Sequence, residues 1–199
     1  MKLFKNKTAI AVMLAVFMIA LTACAGGSSD GDSRDRGSRD SKESKEERPN
    51  ATEGIGEPRE LSEGDIAPDF TVTLVSGEEF TLSDHDDEVV LINFWATWCP
   101  PCVGEMPALQ KLYKDGDAVI IGINCGESKS DVKNFIKDNG YTYNIGYDTD
   151  YTVGTYYPTD GIPYTLIVNK GVIERIFVGA YGAEVMYDEY SHAIEECLD

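Results

Sequence analysis

Val89-Val90-Leu91-Ile92-Asn93-Phe94-Trp95-Ala96-Thr97-Trp98-Cys99-Pro100-Pro101-Cys102 decides how this 199-residue chain is read. Its first seven residues form an almost unbroken apolar run of strand length, which predicts a strand buried on both faces. From Val103 to Lys114 the pattern changes to that of a helix. Two cysteines three apart at a helix start fall within disulfide range, because one helical turn brings their Cα atoms together. Cys99 then lies at or just before the helix N-terminus, where unpaired N–H groups and the helix dipole favour a thiolate. Cys102 lies one turn in and more covered. The spacing predicts an attacking thiol and a resolving thiol, hence thiol–disulfide exchange.

Other chemistries for this motif are weaker. A structural zinc site wants four ligands, usually as two such pairs. The remaining candidates, Cys125, Cys197, His85 and His192, are isolated in the sequence. A c-type haem site needs histidine directly after the second cysteine, where Val103 stands. Peroxidase chemistry of the peroxiredoxin kind looks for threonine three residues before the cysteine, and that position is Ala96. No cofactor motif is visible. An inert structural disulfide stays open as the reading from another functional class: a redox-inert binding module.

Lys2, Lys5 and Lys7 precede an apolar run from Ala9 to Leu21, short for a membrane span and right for a signal sequence. The run ends in Leu21-Thr22-Ala23-Cys24, which resembles a bacterial lipobox and implies cleavage before a lipid-modified Cys24. Residues 1–23 are therefore expected to be a lipoprotein signal peptide, with the folded part tethered to a membrane outside the cytoplasm; an ordinary signal peptide and an uncleaved anchor are the alternatives. Residues 24–57, rich in Gly, Ser, Asp, Arg, Lys and Glu, read as a disordered charged linker. As a flexible coil it would reach on the order of 30 Å. Residues 58–199 are expected to form one domain.

Charge divides sharply between these parts. Residues 1–58 carry nine basic and nine acidic side chains, and residues 59–199 carry eight and twenty-six, so the net charge of −18 belongs to the second part. Such a domain is a poor partner for nucleic acid or for an anionic bilayer surface.

Within the domain, Phe70–Val75 and Phe80–Leu82 flank Ser76-Gly77 as a hairpin. Ala118–Asn124 is a second buried strand. Ser128 or Ser130 can cap a helix that Asn139-Gly140 ends. Tyr164–Val168 and Val172–Val178 are two strands around a turn, and a last helix runs from about Glu184 to Cys197. The order predicts an α/β fold with a mixed sheet and helices on both faces.

This order of elements, Trp98-Cys99-x-x-Cys102 after the first core strand, and Gly161-Ile162-Pro163 before a later one resemble the thioredoxin fold. With Glu63-Gly64-Asp65-Ile66-Ala67-Pro68-Asp69-Phe70 and Asn93-Phe94-Trp95-Ala96-Thr97-Trp98, the chain resembles in particular the membrane-tethered TlpA/ResA branch of the AhpC/TSA–Redoxin superfamily. The resemblance implies a three-layer α/β/α thioredoxin-like sandwich with an N-terminal β-hairpin. It also implies a cis Pro163 facing the sulfurs, and an exposed Ile162 backbone that pairs with an extended substrate. Trp98, Pro100 and Pro101 would complete the binding surface.

Cytoplasmic thioredoxins carry a buried aspartate where this chain has Asn93, whereas ResA-like proteins carry a glutamate where Glu105 falls. One turn beyond Cys102, that carboxylate could take and return the resolving thiol's proton. The plainer alternative is a solvated helix acid. The chain departs from the family pattern at Tyr164, at the bulky Tyr156–Asp160 segment, and at Val103, where thioredoxin has lysine. Implied partners are disulfide-bearing proteins outside the cytoplasm and a CcdA/DsbD-like membrane electron donor, with the domain acting as a monomer. Cytochrome c maturation, or recycling of a methionine sulfoxide reductase or peroxidase, are the expected tasks; a disulfide-forming oxidant is the alternative. Cys125 and Cys197 read as packing residues, and a disulfide between them remains an option.

Overall fold

The computed structural model describes residues 60–199. The expected signal peptide, Cys24 and the linker at 24–57 lie outside the described residues. Seven strands and four helices follow in the order β1 (Thr71–Thr73), β2 (Glu79–Thr81), β3 (Val89–Trp95), α1 (Pro100–Asp115), β4 (Val119–Cys125), α2 (Lys129–Asn139), β5 (Asn144–Asp148), α3 (Thr152–Tyr156), β6 (Tyr164–Asn169), β7 (Val172–Val178) and α4 (Ala183–Leu198). A short 3-10 turn, Leu82–His85, links β2 to β3. Among the described residues no helix is long and apolar enough to cross a membrane.

The main sheet has the order β5-β4-β3-β6-β7. β3 is its centre, parallel to β4 and antiparallel to β6, and all seven of its residues are buried. β4 pairs with β5 in parallel, and β6 with β7 antiparallel. The crossovers β3–α1–β4 and β4–α2–β5 step in the same direction across the sheet, so right-handed connections place α1 and α2 on one face. Packing agrees: Met106 and Leu109 of α1, Val132 and Ile136 of α2, and Met186 and Ile194 of α4 share one core with Leu91, Trp95 and Ile120. The opposite face is covered by the β1–β2 hairpin, the 3-10 turn and the short α3, with Phe70, Val72, Phe80, Leu82 and Val153 packed on Ile92, Phe94 and Ile123. Both layers expected over the sheet are present, and the three long helices share one of them.

Sequence periodicity passes over two elements. β5 contains a glycine and little β-branched side chain, and its position is set by the hairpin. Leu74 bridges Gly146, and the Val75 N–H donates to Ile145 O at 2.8 Å. A Cβ at residue 146 would lie 2.6 Å from Val72 Cγ2, so glycine lets the hairpin close onto the sheet. α3 lacks a cap from its own first residue. Its first turn is held by the Asp148 carboxylate at the end of β5, which accepts the N–H groups of Val153 (3.1 Å) and Gly154 (2.8 Å).

Predicted boundaries elsewhere shift by a few residues. α1 begins at Pro100, three residues before the expected start, because prolines in the first turn supply no N–H that needs a partner. Ser128 caps α2 through the Asp131 N–H, and Gly140 ends it in the left-handed conformation at φ 71°.

Candidate active site

β3 delivers the chain to the start of α1, and the two cysteines follow from that junction. Cys99 is the N-cap residue of α1, and its Sγ accepts the Cys102 N–H at 3.3 Å. Cys99 and Cys102 form a disulfide with an S–S length of 2.03 Å and Cα atoms 5.3 Å apart. Cys99 keeps 4 % of its surface exposed and Cys102 none. Any approaching thiol meets Cys99 first.

The loop before β6 closes over the pair. The Ile162–Pro163 peptide is cis, and Ile162 O lies 3.6 Å from Cys99 Sγ. On the other side of this loop, the Gly179 N–H donates to Pro163 O at 2.8 Å and ties it to the end of β7. Ile162 is half-buried and Pro163 buried, while Trp98, Pro100 and Pro101 are exposed. Trp98 and Ile162 form part of an apolar groove of about 430 Å³ beside the disulfide, together with Tyr151, Pro158, Thr159 and Cys125.

Beneath Cys102 the core turns polar. Glu105 is fully buried, which excludes the solvated helix acid. Asn93 Nδ2 donates to its Oε1 and Tyr190 OH to its Oε2, each at 2.8 Å. Thr165 Oγ1 receives Asn93 Nδ2 at 2.9 Å and lies 3.0 Å from Tyr190 OH. Burial pushes the Glu105 carboxyl up to about 7, against the lowering pull of the bonds from Tyr190 and Asn93. A carboxyl balanced there can exchange a proton at neutral pH. Sequence reasoning noted Asn93 and Glu105 separately; Thr165 and Tyr190 carried no signal, being 60 and 85 residues away from Glu105 in the chain.

Glu127 is a third residue that sequence reading missed. Its carboxylate accepts the Thr97 N–H (2.7 Å), the Thr97 hydroxyl and the Asn124 side-chain amide (2.7 Å). It thereby ties the loop that leads into Cys99 to the end of β4.

Cys125 and Cys197 are free thiols. Burial, with the nearby charges of Asp148 and Glu127, pushes Cys125 up to about 12, so it stays a protonated thiol. His85 pairs with Glu88 at 2.7 Å and stacks on Phe80, and His192 lies 3.6 Å from Glu196, so each is used locally.

A helix-capping dithiol, facing a cis-proline loop on a mixed five-stranded sheet, defines a thioredoxin-like thiol–disulfide oxidoreductase. The AhpC/TSA family model matches residues 64–176, and the chain belongs to that family. It is 34% identical over 132 residues to the thiol-disulfide oxidoreductase ResA of Bacillus subtilis, covering 64% of this chain and 74% of that one. Among solved structures it is similar to StoA from Bacillus subtilis, with a TM-score of 0.55, 26% identity, and coverage of 62% of this chain and 96% of that one. It is also similar to the exposed lipoprotein thioredoxin Etrx1 of Streptococcus pneumoniae, with a TM-score of 0.57, 26% identity, and coverage of 64% and 98%.

Proposed function

We propose that the chain reduces disulfides of proteins outside the cytoplasm, through the Cys99/Cys102 dithiol. The observation that carries this reading is the asymmetry of the pair: Cys99 caps α1 beside the Ile162 carbonyl, while Cys102 is sealed above a buried carboxyl. The Cys99 thiolate attacks a target disulfide, forming the mixed disulfide and releasing one target thiolate. Cys102 gives its proton to Glu105 and attacks Cys99 Sγ, which frees the second target sulfur as a thiolate and leaves Cys99–Cys102 oxidised. The extended target segment lies along Ile162 and Pro163, flanked by Trp98, Pro100 and Pro101. A membrane electron donor of the CcdA/DsbD kind returns two electrons to the pair.

Residues 1–23 serve as a lipoprotein signal, Cys24 carries the lipid, and 24–57 tether a monomeric domain at 58–199. The lipobox-like Leu21-Thr22-Ala23-Cys24 supports this arrangement, as does similarity to the exposed lipoprotein thioredoxin Etrx1. The sequence resemblance to the TlpA/ResA branch favours reduction as the direction, with apocytochrome c, or an extracytoplasmic methionine sulfoxide reductase or peroxidase, as the target class.

Trapping tests the mechanism. Cys102→Ser should accumulate covalent complexes with envelope proteins that dissolve on reduction, and Cys99→Ser should trap none. Absence of complexes with Cys102→Ser would remove exchange as the mechanism. Redox titration tests the direction: a potential near or below about −270 mV marks a reductant, and one near about −120 mV a disulfide-forming oxidant.

A further inference from the structure

The buried polar cluster under the disulfide has a donor count that fixes where a proton can sit. Asn93 faces two acceptors, Glu105 Oε1 and Thr165 Oγ1, and its amide nitrogen has two hydrogens to give them. With the Asn93 amide in this orientation, Glu105 Oε1 is an acceptor, and the proton of a neutral Glu105 belongs on Oε2. Oε2 faces Tyr190 OH, which has one hydrogen and two neighbours, Glu105 Oε2 at 2.8 Å and Thr165 Oγ1 at 3.0 Å. With Glu105 ionised, Tyr190 donates to Oε2 and accepts the Thr165 hydroxyl. With Glu105 neutral, Tyr190 accepts the Oε2 proton and donates to Thr165, whose own hydrogen rotates away from Tyr190.

We propose that Tyr190 and Thr165 form a reversing hydroxyl pair, which turns its donor direction whenever Glu105 gains or loses a proton. Each state of the carboxyl then keeps a partner at Oε2 without any side chain moving. This inference rests on the reading of Glu105 as the group that exchanges a proton with Cys102. Tyr190 and Thr165 are positioning residues, since they act through Glu105.

The surroundings suit this role. Tyr190, Glu105, Asn93 and Thr165 are each no more than 1 % exposed, so water does not compete for the bonds. The titratable groups facing Glu105 are Tyr190 from α4, Tyr143 from the segment before β5, and Cys102 one turn back on α1. Burial pushes both phenols up, with the Glu105 charge adding to it, so neither ionises while Glu105 titrates.

The pair predicts shifts of opposite sign. Tyr190→Phe removes the Oε2 partner of both states, and the bond to the charged carboxylate is the stronger of the two, so the Glu105 midpoint should rise by about one pH unit, tenfold in proton affinity. Thr165→Val removes a partner of Tyr190 in both states, but only with Glu105 neutral does it leave the Tyr190 hydrogen without an acceptor, so the midpoint should fall. Thr165→Ser keeps the hydroxyl and should match the wild type. The midpoints can be read on the oxidised full-length chain by 13C NMR of labelled glutamate carboxyls, with the Glu105 signal assigned by its loss in Glu105→Gln.

Shifts in the same direction, or no shift, would overturn the inference. Should Tyr190→Phe fail to fold, the sign of the Thr165→Val shift decides alone: downward supports the pair, and upward or unmoved overturns it. The underlying reading is tested separately, by the pH dependence of Cys102 attack on a preformed mixed disulfide. If Glu105→Gln leaves that profile unchanged, the proton-exchange reading fails, whatever the NMR midpoints do.

Discussion

On β3, Leu91, Asn93 and Trp95 face α1 and α4, whereas Val90, Ile92 and Phe94 face the N-terminal hairpin. The hairpin side is packed by apolar contact, with Phe70, Phe80, Phe94 and Tyr157 meeting at ring separations of 5.2–6.1 Å. The helix side buries a comparable set of apolar residues, yet Asn93, Glu105, Thr165 and Tyr190 interrupt it with a hydrogen-bonded polar cluster. One face stabilises the fold without chemistry. The other gives up part of that stabilisation to keep a titratable carboxyl one turn from Cys102.

Substitutions on the two faces should therefore behave differently. Ile92→Ala, on the apolar face, should lower unfolding free energy by about 2–5 kcal/mol in denaturant titrations, through lost burial and a residual cavity. It should do so equally at pH 5 and pH 8, because no titratable group is touched. A strong pH dependence of that loss would break the division between the faces.

Glu105→Gln should act in the opposite direction and with a pH signature. The folded chain holds a proton on Glu105 up to about pH 7, whereas the unfolded chain loses it near 4.5. Glu105 therefore costs nothing below pH 4.5, and its cost grows as pH rises to 7, then levels off at roughly 3 kcal/mol. Glu105→Gln should thus match the wild type near pH 4 and exceed it in stability at pH 8, while slowing turnover. A variant less stable than wild type at pH 8 would show that the ionised carboxyl contributes more through its hydrogen bonds than its burial costs.

Gly146→Ala should have the smallest of the three effects. A methyl there meets Val72 of the hairpin, so about 1–3 kcal/mol of overpacking is expected in thermal or chemical unfolding. The pH profile of Cys102 attack should stay unmoved, because the hairpin does not reach the polar cluster.

Much of this site was legible in the chain itself. The apolar run into Trp98-Cys99-Pro100-Pro101-Cys102 specified a buried strand, a helix start and a dithiol, because those features depend on residues adjacent in sequence. Ser128 and Gly140 bounded α2 for the same reason. β5 and α3 were not legible, since Asn144–Asp148 takes its place from a hairpin seventy residues earlier and α3 from the Asp148 carboxylate.

Glu105 could be assigned a place on α1 from spacing, but spacing gave no measure of its burial. That depended on α4 and β6 folding over it and bringing Tyr190 and Thr165 to its second oxygen. Local sequence determines helix starts, strand runs and the ring between two cysteines, because their energetics are set within one turn or one pleat. Only the tertiary structure decided the protonation chemistry, because desolvation and long-range hydrogen bonds arise when distant segments exclude water together.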